Sequence, residues 1–245
     1  MSPHLTASET AHEVAVKEMF SGIAGRYDLL NHVLSLNIDK IWRRKVRRSL
    51  QSILDRKDAI VLDVACGTGD LSLELATNTA ASVIGTDFCR PMLAVACQKN
   101  TSKNDSIPYV EADAMDLSFA DNAFDAVTIA FGLRNLPNFE NGLRELNRVL
   151  KPGGTLAILE CSHPSLPGFR QLYHFYFGKV LPRIGGIVSG SSGAYRYLPD
   201  SVSKFPKQGE LSALLEKTGF SDVSYQNLTG GIAALHTGRK NDINS

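Results

Sequence analysis

The sequence predicts an α/β fold built on one mostly parallel, doubly wound sheet, and two observations support this. From residue 60 onward, short apolar runs that suit buried strands alternate with stretches whose apolar residues recur at helical spacing. The last two strand-like runs are separated only by the turn "TGG", so we expect them to pair antiparallel. The predicted sheet is therefore parallel except at its C-terminal hairpin.

The first half of this alternation can be justified run by run. "AIVLDVA" is a short apolar run that ends at a turn, as a buried strand does, and "GDLSLELATNT" places Leu71 and Leu75 at helical spacing. "SVIGTD" is the second strand. "PMLAVACQKN" is the helix that follows it, since Pro91 suits a first helical turn. "IPYVEAD" is the third strand.

The second half begins with "FDAVTIAFG", which is apolar throughout and is therefore the expected central strand. The amphipathic helix "NFENGLRELNRVL" is closed by "KPGG", which leads into the strand "TLAILE". The helix "GELSALLEKTGF" then precedes the strands "SDVSYQNL" and "GIAALHTG". A seven-stranded sheet that ends in an antiparallel hairpin is unusual for a dehydrogenase. It is typical of the Rossmann-like class I methyltransferases, which use S-adenosylmethionine.

The chain is expected to form a single domain over residues 1–245, because its length and its 43% content of hydrophobic residues suit one core. Residues 1–58 are predicted to be a helical N-terminal extension, and residues 59–161 the cofactor-binding core. Residues 162–207 are an expected insertion on the substrate side. Residues 208–240 complete the domain with a helix and the hairpin.

Composition narrows the class of partner and the compartment. The formal net charge is +1, from 26 basic and 25 acidic residues, which gives no general electrostatic footprint for nucleic acid. The polar N-terminus predicts neither a signal peptide nor a spanning helix. The four cysteines lack disulfide or metal-type spacing, which indicates reduced thiols. We therefore expect a cytoplasmic protein.

The stretch "VLDVACGTGD" contains a glycine turn directly after the first strand. Gly67 and Gly69 allow the backbone to approach a ligand closely. A dinucleotide-binding fingerprint requires a third glycine three residues later, where this chain has Ser72. The turn therefore predicts a ligand other than NAD.

Three consecutive strands end in an aspartate, at Asp63, Asp87 and Asp113. Ligands of open α/β sheets bind at the carboxyl ends of the strands. Asp87 can accept both hydrogen bonds of a ribose diol. Asp113 can accept from an adenine amino group, with the Ala114 amide facing the ring. These acids would repel a pyrophosphate but suit a sulfonium cation with an amino group, so the predicted ligand is S-adenosylmethionine. The alternative is that the aspartates cap helices.

Five longer segments together resemble one family, the C-methyltransferases of menaquinone and ubiquinone biosynthesis. The resemblance covers roughly residues 18–239. Its segments are "MFSGIAGRYDLLNHVLSLNIDKIWRR", "FGLRNLPN", "RVLKPGGTLAILECS", "YRYLPDSVSKFP" and "NLTGGIAALHTG". The chain departs from the family pattern at Asp39, where the family usually has His. It also departs at Ala65, which replaces a glycine of the cofactor turn, and at Ala130, where some members have a serine contact.

The resemblance implies methyl transfer from S-adenosylmethionine to a ring carbon of a polyprenylated quinol, without a metal. It implies Thr68, Asp87, Asp113 and Ala114 as cofactor contacts. The sequence of the segment "YLPDSVSKFP" favours demethylmenaquinol as the acceptor. The methoxybenzoquinol of ubiquinone synthesis is the alternative, or both quinols are substrates. An RNA methyltransferase would be expected to show a wider basic face and a base-stacking motif near the fourth strand, and neither is found.

Arg134, in "FGLRN" at the end of the central strand, is the candidate catalytic residue. A quinol that loses an oxygen-bound proton pushes electron density onto the ring carbon that attacks the methyl group. Arg134 can stabilise that charge or orient a water molecule, or it can make a structural salt bridge. Asn135 can orient the ring or cap the next helix. The candidate proton acceptors are Tyr27, Tyr195, Tyr197 and His236, each of which is more often structural.

The segment "KIWRRKVRRSL" carries six basic residues beside an apolar stripe that includes Trp42. Such a helix suits an anionic membrane surface, which is a possible peripheral contact, or it packs on the domain and leaves its charges in solvent. Its basic residues are Lys40, Arg43, Arg44, Lys45, Arg47 and Arg48. The aromatic insertion that begins "FRQLYHFYFG" can wall a channel for an isoprenoid tail or form an ordinary lid.

Overall fold

The computed structural model describes residues 6–103, 107–164 and 193–241. Within these ranges the backbone forms one seven-stranded sheet. Its strands are β1 (Ile60–Val64), β2 (Ser82–Asp87), β3 (Tyr109–Glu111), β4 (Phe124–Ala130), β5 (Leu150–Cys161), β6 (Phe220–Leu228) and β7 (Ala233–Lys240).

The helices lie before the sheet and in its connections. Those described are α1 (Ala7–Ile23), α2 (Tyr27–Leu34), α3 (Ile38–Ser49), α4 (Gln51–Leu54), α5 (Asp70–Ala76), α6 (Arg90–Lys103), α7 (Phe139–Val149), α8 (Gly193–Lys204) and α9 (Gln208–Lys217). Thr6 begins α1 with a capping box, in which its hydroxyl and the Glu9 carboxylate each accept from the other residue's backbone amide. Helices α1 to α4 form the predicted helical extension. None of the described helices is both long and apolar enough to cross a membrane.

The strand order is β3-β2-β1-β4-β5-β7-β6. Strands β1 to β5 pair in parallel, and β7 pairs antiparallel with both β5 and β6. The chain winds in opposite directions on either side of the β1–β4 pair, so the topological switch point lies there. The structure confirms the predicted fold class, including the C-terminal hairpin.

The sheet is covered on both faces by apolar side chains from the helices, as expected for a doubly wound fold. On one face, Trp42, Val46 and Leu50 of the α3 region are part of the core, and on the other face Leu146 of α7 and Leu211 of α9 are fully buried. The indole of Trp42 donates from Nε1 to Thr229 Oγ1 at 2.9 Å. The suggestion that Trp42 meets a membrane is therefore wrong.

The third strand ends earlier than predicted. Asp113 lies two residues beyond the end of β3 at Glu111, in an isolated bridge with Asp116, so it follows the third strand rather than ending it. The aromatic part of the insertion lies outside the described residues, and the channel suggested for it stays a prediction.

Candidate active site

The glycine turn after β1 is built from left-handed backbone. Ala65, Gly67 and Gly69 have φ values of +50°, +57° and +80°, a region that costs glycine little and other residues more. A Cβ at Gly69 would lie against the Tyr109 hydroxyl and 3.1 Å from Ala96 Cβ. Gly69 is therefore required for close packing beneath the turn, and Gly67 is the glycine that faces the cavity beside it.

A cavity lies at the carboxyl ends of β1, β2 and β4, where the sheet topology predicts a ligand. Four of the predicted cofactor contacts line it: Gly67, Asp87, Asp113 and Ala114. The N-terminal extension covers the same cavity. Among the described residues the lining is Glu13, Phe20, Tyr27, Ala65, Gly67, Asp87, Phe88, Met92, Ala112, Asp113, Ala114, Ala130, Phe131, Gly132, Asn135, Leu136 and Pro137.

Asp87 joins the glycine turn to the end of β2. Its Oδ2 accepts from the Gly67 amide and its Oδ1 from the Cys89 amide, each at 2.8 Å. Its side chain lies in the cavity wall with 6% of the residue exposed. Burial raises the pKa of Asp87 to about 6 despite these hydrogen bonds. Each carboxylate oxygen keeps a lone pair for a ligand hydroxyl.

Asp63 was predicted as a cofactor contact, but the structure places it behind the cavity wall. It is 1% exposed, and it accepts from Ser72 Oγ at 2.6 Å and Thr128 Oγ1 at 2.8 Å. Burial raises its pKa to about 6, as for Asp87. Through its hydrogen bonds to Ser72 and Thr128, Asp63 holds α5 and β4 against β1 and so supports the glycine turn. Asp63 is not among the described residues that line the cavity.

Thr68 is also not among the described residues that line the cavity. Its hydroxyl donates to Asp28 of α2, and the residue is 2% exposed. Asp28 accepts from Lys99 Nζ at 2.9 Å, and Lys99 also pairs with Asp70. In this structure the Thr68 hydroxyl links the glycine turn to the N-terminal extension, and its contact with the cofactor stays a prediction.

The same network continues into α3. Arg43 is 8% exposed and pairs with Asp39 and with Asp70, the latter at 3.0 Å, so Arg43 is not part of a solvent-facing basic surface. His32 Nδ1 lies 2.9 Å from Asp39 Oδ2. The ligand atoms of His32, Asp39 and Asp70 lie within 4.8 Å of one another, as metal ligands would. Because the Arg43 guanidinium bonds both carboxylates, the group is an ion-pair network in this structure.

Arg134 makes the buried salt bridge that was the alternative to a catalytic role. Its Nη1 donates to Glu160 Oε1 at 2.7 Å and to the Phe131 carbonyl, and its amide donates to Glu160 Oε2 at 3.2 Å. Glu160 is 1% exposed. Burial lowers and the Glu160 carboxylate raises the pKa of Arg134, with a net upward shift, so the guanidinium stays charged.

A second, larger cleft of about 680 Å³ adjoins the cofactor cavity and shares Leu136 and Pro137 with it. Arg134 lines this outer cleft, with 7% of its side chain exposed. The residues of the described ranges that line it are Ser8, Glu9, His12, Ala15, Val16, Met19, Arg134, Leu136, Pro137, Phe139, Tyr197, Asp200, Ser201 and Lys204.

Asn135 connects the two spaces. It lines the cofactor cavity, and its Oδ1 accepts from the Tyr197 hydroxyl of the outer cleft at 3.1 Å. The cap of α7 is Asn138, whose side chain accepts from the Asn141 amide at 3.1 Å. The suggestion that Asn135 caps this helix is therefore wrong.

The candidate proton acceptors lie in different parts of the structure. Tyr27 lines the cofactor cavity and Tyr197 the outer cleft, and burial raises the pKa of both phenols. His236 is 2% exposed on β7, where Nε2 donates to the Gln208 carbonyl at 3.0 Å and burial lowers its pKa. His236 is therefore a core histidine. The side chain of Tyr195 lies outside the described residues.

Sequence reasoning missed the contribution of α1. Glu13 and Phe20 line the cofactor cavity, and His12 lines the outer cleft with Nε2 3.2 Å from the Asn135 carbonyl. His12 and Glu13 lie in no motif, and Phe20 lies in the first segment of the resemblance without a role assigned to it. The packing of α1 across the strand ends brings all three to the site.

The sequence matches known proteins over most of its length. The model of the ubiE/COQ5 methyltransferase family matches residues 8–240. The demethylmenaquinone methyltransferase of Thermus thermophilus is 49% identical over 221 residues, which cover 90% of this chain and 99% of that protein. The ubiquinone/menaquinone biosynthesis C-methyltransferase UbiE of Geotalea daltonii is 47% identical over 229 residues, with coverage of 92% and 96%.

Solved structures agree on the fold. An S-adenosylmethionine-dependent methyltransferase from Aquifex aeolicus superposes with a TM-score of 0.56 at 19% identity, over 78% of this chain and 87% of that one. The cyclase SpnF superposes with a TM-score of 0.62 at 21% identity, over 81% of each chain. At these identities the likeness shows the fold alone. Family match, relatives and fold agree, and the chain belongs to the ubiE/COQ5 family of S-adenosylmethionine-dependent methyltransferases.

Proposed function

We propose that this enzyme transfers the methyl group of S-adenosylmethionine to a ring carbon of demethylmenaquinol, giving menaquinol. The observation that carries the proposal is the adjacency of the acid-lined cavity and the outer cleft, which meet at Leu136 and Pro137. A methyl donor bound in the acid-lined cavity would face an acceptor ring that enters through the outer cleft. The names of relatives with nearly full coverage support the naphthoquinol. Another relative's name covers both quinones, so the methoxybenzoquinol is the second candidate.

In the proposed complex, different residues of the cavity contact different parts of S-adenosylmethionine. The Asp87 carboxylate accepts from the ribose diol, Asp113 and the Ala114 amide meet the adenine, and the backbone at Gly67 lies along the methionine end. Thr68, Asp63 and Gly69 act indirectly, because they hold the turn through Asp28, Ser72 and close packing. No metal is required by this arrangement.

The proposed reaction needs an electron-rich ring carbon. The quinol loses an oxygen-bound proton, and the adjacent ring carbon attacks the methyl group as the bond from that methyl to sulfur breaks. Breaking that bond releases S-adenosylhomocysteine as the second product. The ring proton at the same carbon then leaves to solvent, which restores the aromatic ring, and the oxygen anion regains a proton to give the methylated quinol. Arg134, which lines the outer cleft, stabilises the quinolate charge. Tyr27 and Tyr197 keep their protons, because burial raises the pKa of each. The Tyr27 hydroxyl orients the ring as a donor, and the Tyr197 hydroxyl, which donates to Asn135 Oδ1, holds Asn135 between the two spaces.

The direct test is incubation with methyl-labelled S-adenosylmethionine and each acceptor in turn under controlled redox conditions. We expect label on the ring of reduced demethylmenaquinol and none on the oxidised quinone, because the quinone lacks the oxygen anion that activates the carbon. Equal labelling of quinone and quinol would contradict the mechanism. Preferential labelling of the methoxybenzoquinol would favour the second candidate, and labelling of added RNA would contradict the proposed substrate class.

We also propose that the enzyme contacts an anionic membrane on the cytoplasmic side, through the outward face of α3. Lys40, Arg44 and Arg48 recur at four-residue spacing on this face and are exposed, and none of the three has an ion pair within the described residues. Leu36, at φ +52° in the turn before α3, is 76% exposed, and Ile41 is 52% exposed. Basic and apolar side chains on one helical face suit a lipid surface, where a polyprenylated substrate resides.

Vesicle co-sedimentation tests this contact. Each basic residue near an anionic surface contributes about 1 kcal/mol, so the double variant R44Q/R48Q should bind anionic vesicles about 30-fold more weakly. The control is R144Q/K217Q, which removes two exposed charges that pair with Glu140 elsewhere on the molecule. Equal loss in both variants, or none in R44Q/R48Q, would show that the α3 charges are only solvated.

A further inference from the structure

A carboxylate oxygen from the N-terminal extension reaches the cofactor cavity and has no hydrogen-bond partner in the described part of the chain. Glu13 lies in the second turn of α1 and lines the cavity. Its Oε2 is buried and has no hydrogen-bond partner among the described residues. Removing a carboxylate oxygen from water without a compensating hydrogen bond is costly. Such an atom beside a cavity is therefore expected to acquire its partner from the ligand.

The position of Glu13 identifies which end of the ligand it meets. Glu13, Phe88, Ala112 and Asp113 line the cofactor cavity and also a shallow cleft outside it, so these four residues form the wall between the two spaces. This is the end of the cavity at which Asp113 lies. Lys17, one turn further along α1, does not neutralise Glu13, because its Nζ pairs with Glu111 at 3.6 Å.

We infer that Glu13 accepts a hydrogen bond from the exocyclic amino group of the adenine of S-adenosylmethionine. That group carries two N–H donors. Asp113 accepts from one in the proposed complex, and the free Oε2 of Glu13 accepts from the other. The inference rests on the proposed function, which places the adenine at Asp113. It makes α1 part of the specificity for adenosine, since a purine with oxygen at this position would turn a second acceptor toward the carboxylate.

The test compares S-adenosylhomocysteine with S-inosylhomocysteine, in which an oxygen replaces the amino group and ring N1 carries a proton, by calorimetric titration of the full chain. Glu13→Ala should bind S-adenosylhomocysteine about 10-fold or more weakly, while its affinity for S-inosylhomocysteine is unchanged or higher. Glu13→Gln should improve binding of S-inosylhomocysteine, because the amide can donate to the ring oxygen. The matched control is Glu18→Ala, an exposed glutamate on the same helix.

The possible outcomes separate this inference from the function on which it rests. Equal losses for both ligands in Glu13→Ala would show that Glu13 only holds α1 over the cavity, and unchanged binding of both would show no contact, so either result overturns the inference. If Glu13→Ala does not fold, the changed ligand preference of Glu13→Gln decides. A wild-type protein that binds neither S-adenosylmethionine nor S-adenosylhomocysteine would instead contradict the proposed donor site.

Discussion

Arg134→Met is expected to lower the free energy of unfolding by about 3–5 kcal/mol, because it leaves Glu160 buried without its cation. Glu160 is 1% exposed, and Arg134 supplies both a guanidinium and an amide donor to it. Urea denaturation measures the change. The double variant R134M/E160Q removes the unpaired charge and should recover part of the loss. A single variant as stable as the wild type would show that the ion pair contributes nothing.

Arg134→Lys separates structure from chemistry. Lysine keeps the positive charge beside Glu160 but loses the planar fork, so stability should fall much less than in Arg134→Met. If the guanidinium also stabilises the quinolate, turnover of Arg134→Lys should fall by about 10²–10³ while binding of S-adenosylmethionine stays unchanged. Stable enzyme with normal turnover would make Arg134 a structural residue alone.

Asp87→Asn is expected to weaken binding of S-adenosylmethionine by about 1.5–3 kcal/mol, since the ribose diol loses a charged acceptor. Asparagine is nearly the same size and keeps one oxygen, so the turn at Gly67 should persist. Calorimetric titration provides the measurement. The exposed Asp222, away from the cavity, offers the matched control Asp222→Asn. Unchanged affinity in Asp87→Asn would remove Asp87 from the ribose site.

The same residue predicts a pH dependence with a definite sign. Burial raises the pKa of Asp87 from its ordinary 3.8 to about 6 in the ligand-free protein. Its contribution to stability is therefore present below pH 3.8 and is lost as the pH rises through 6. Binding requires the ionised form, so affinity should increase from pH 5 to pH 7 with release of a proton. Titrations in buffers of different ionisation enthalpy detect that proton. Asp87→Asn should abolish the dependence.

The parallel sheet with its C-terminal hairpin and the position of the cavity followed from the sequence because both depend on local patterns. Apolar runs and turns define each strand, and parallel strands bring their carboxyl ends together, which placed Asp87 and Asp113 correctly in one wall. Asp63 shows the limit of this reasoning. It occupies β1 itself, and whether its side chain faces the cavity or Ser72 and Thr128 depends on the strand's orientation in the sheet.

The remaining misses concern contacts between residues distant in sequence. The pattern of α3 predicts a basic helix, but only tertiary structure turns Arg43 inward to Asp70 while Arg44 remains in solvent. The sequence allowed a salt bridge as the alternative role of Arg134, but it did not identify the partner. Glu160 lies on the neighbouring strand β5, and only the sheet brings it next to Arg134. Glu13 was missed for the same reason, since no local signal indicates that α1 packs over the cavity.

The order of strands also affects how the chain folds during synthesis. The final strand, β7, inserts between β5 and β6, so the edge of β5 has no neighbour until the ribosome has made residues 233–240. Because the ribosome adds about 5–20 residues per second, a nascent chain exposes this long apolar edge for several seconds. Unpaired edges of this kind are sites of aggregation. Chains that end before β7 should therefore be prone to self-association and depend on chaperones.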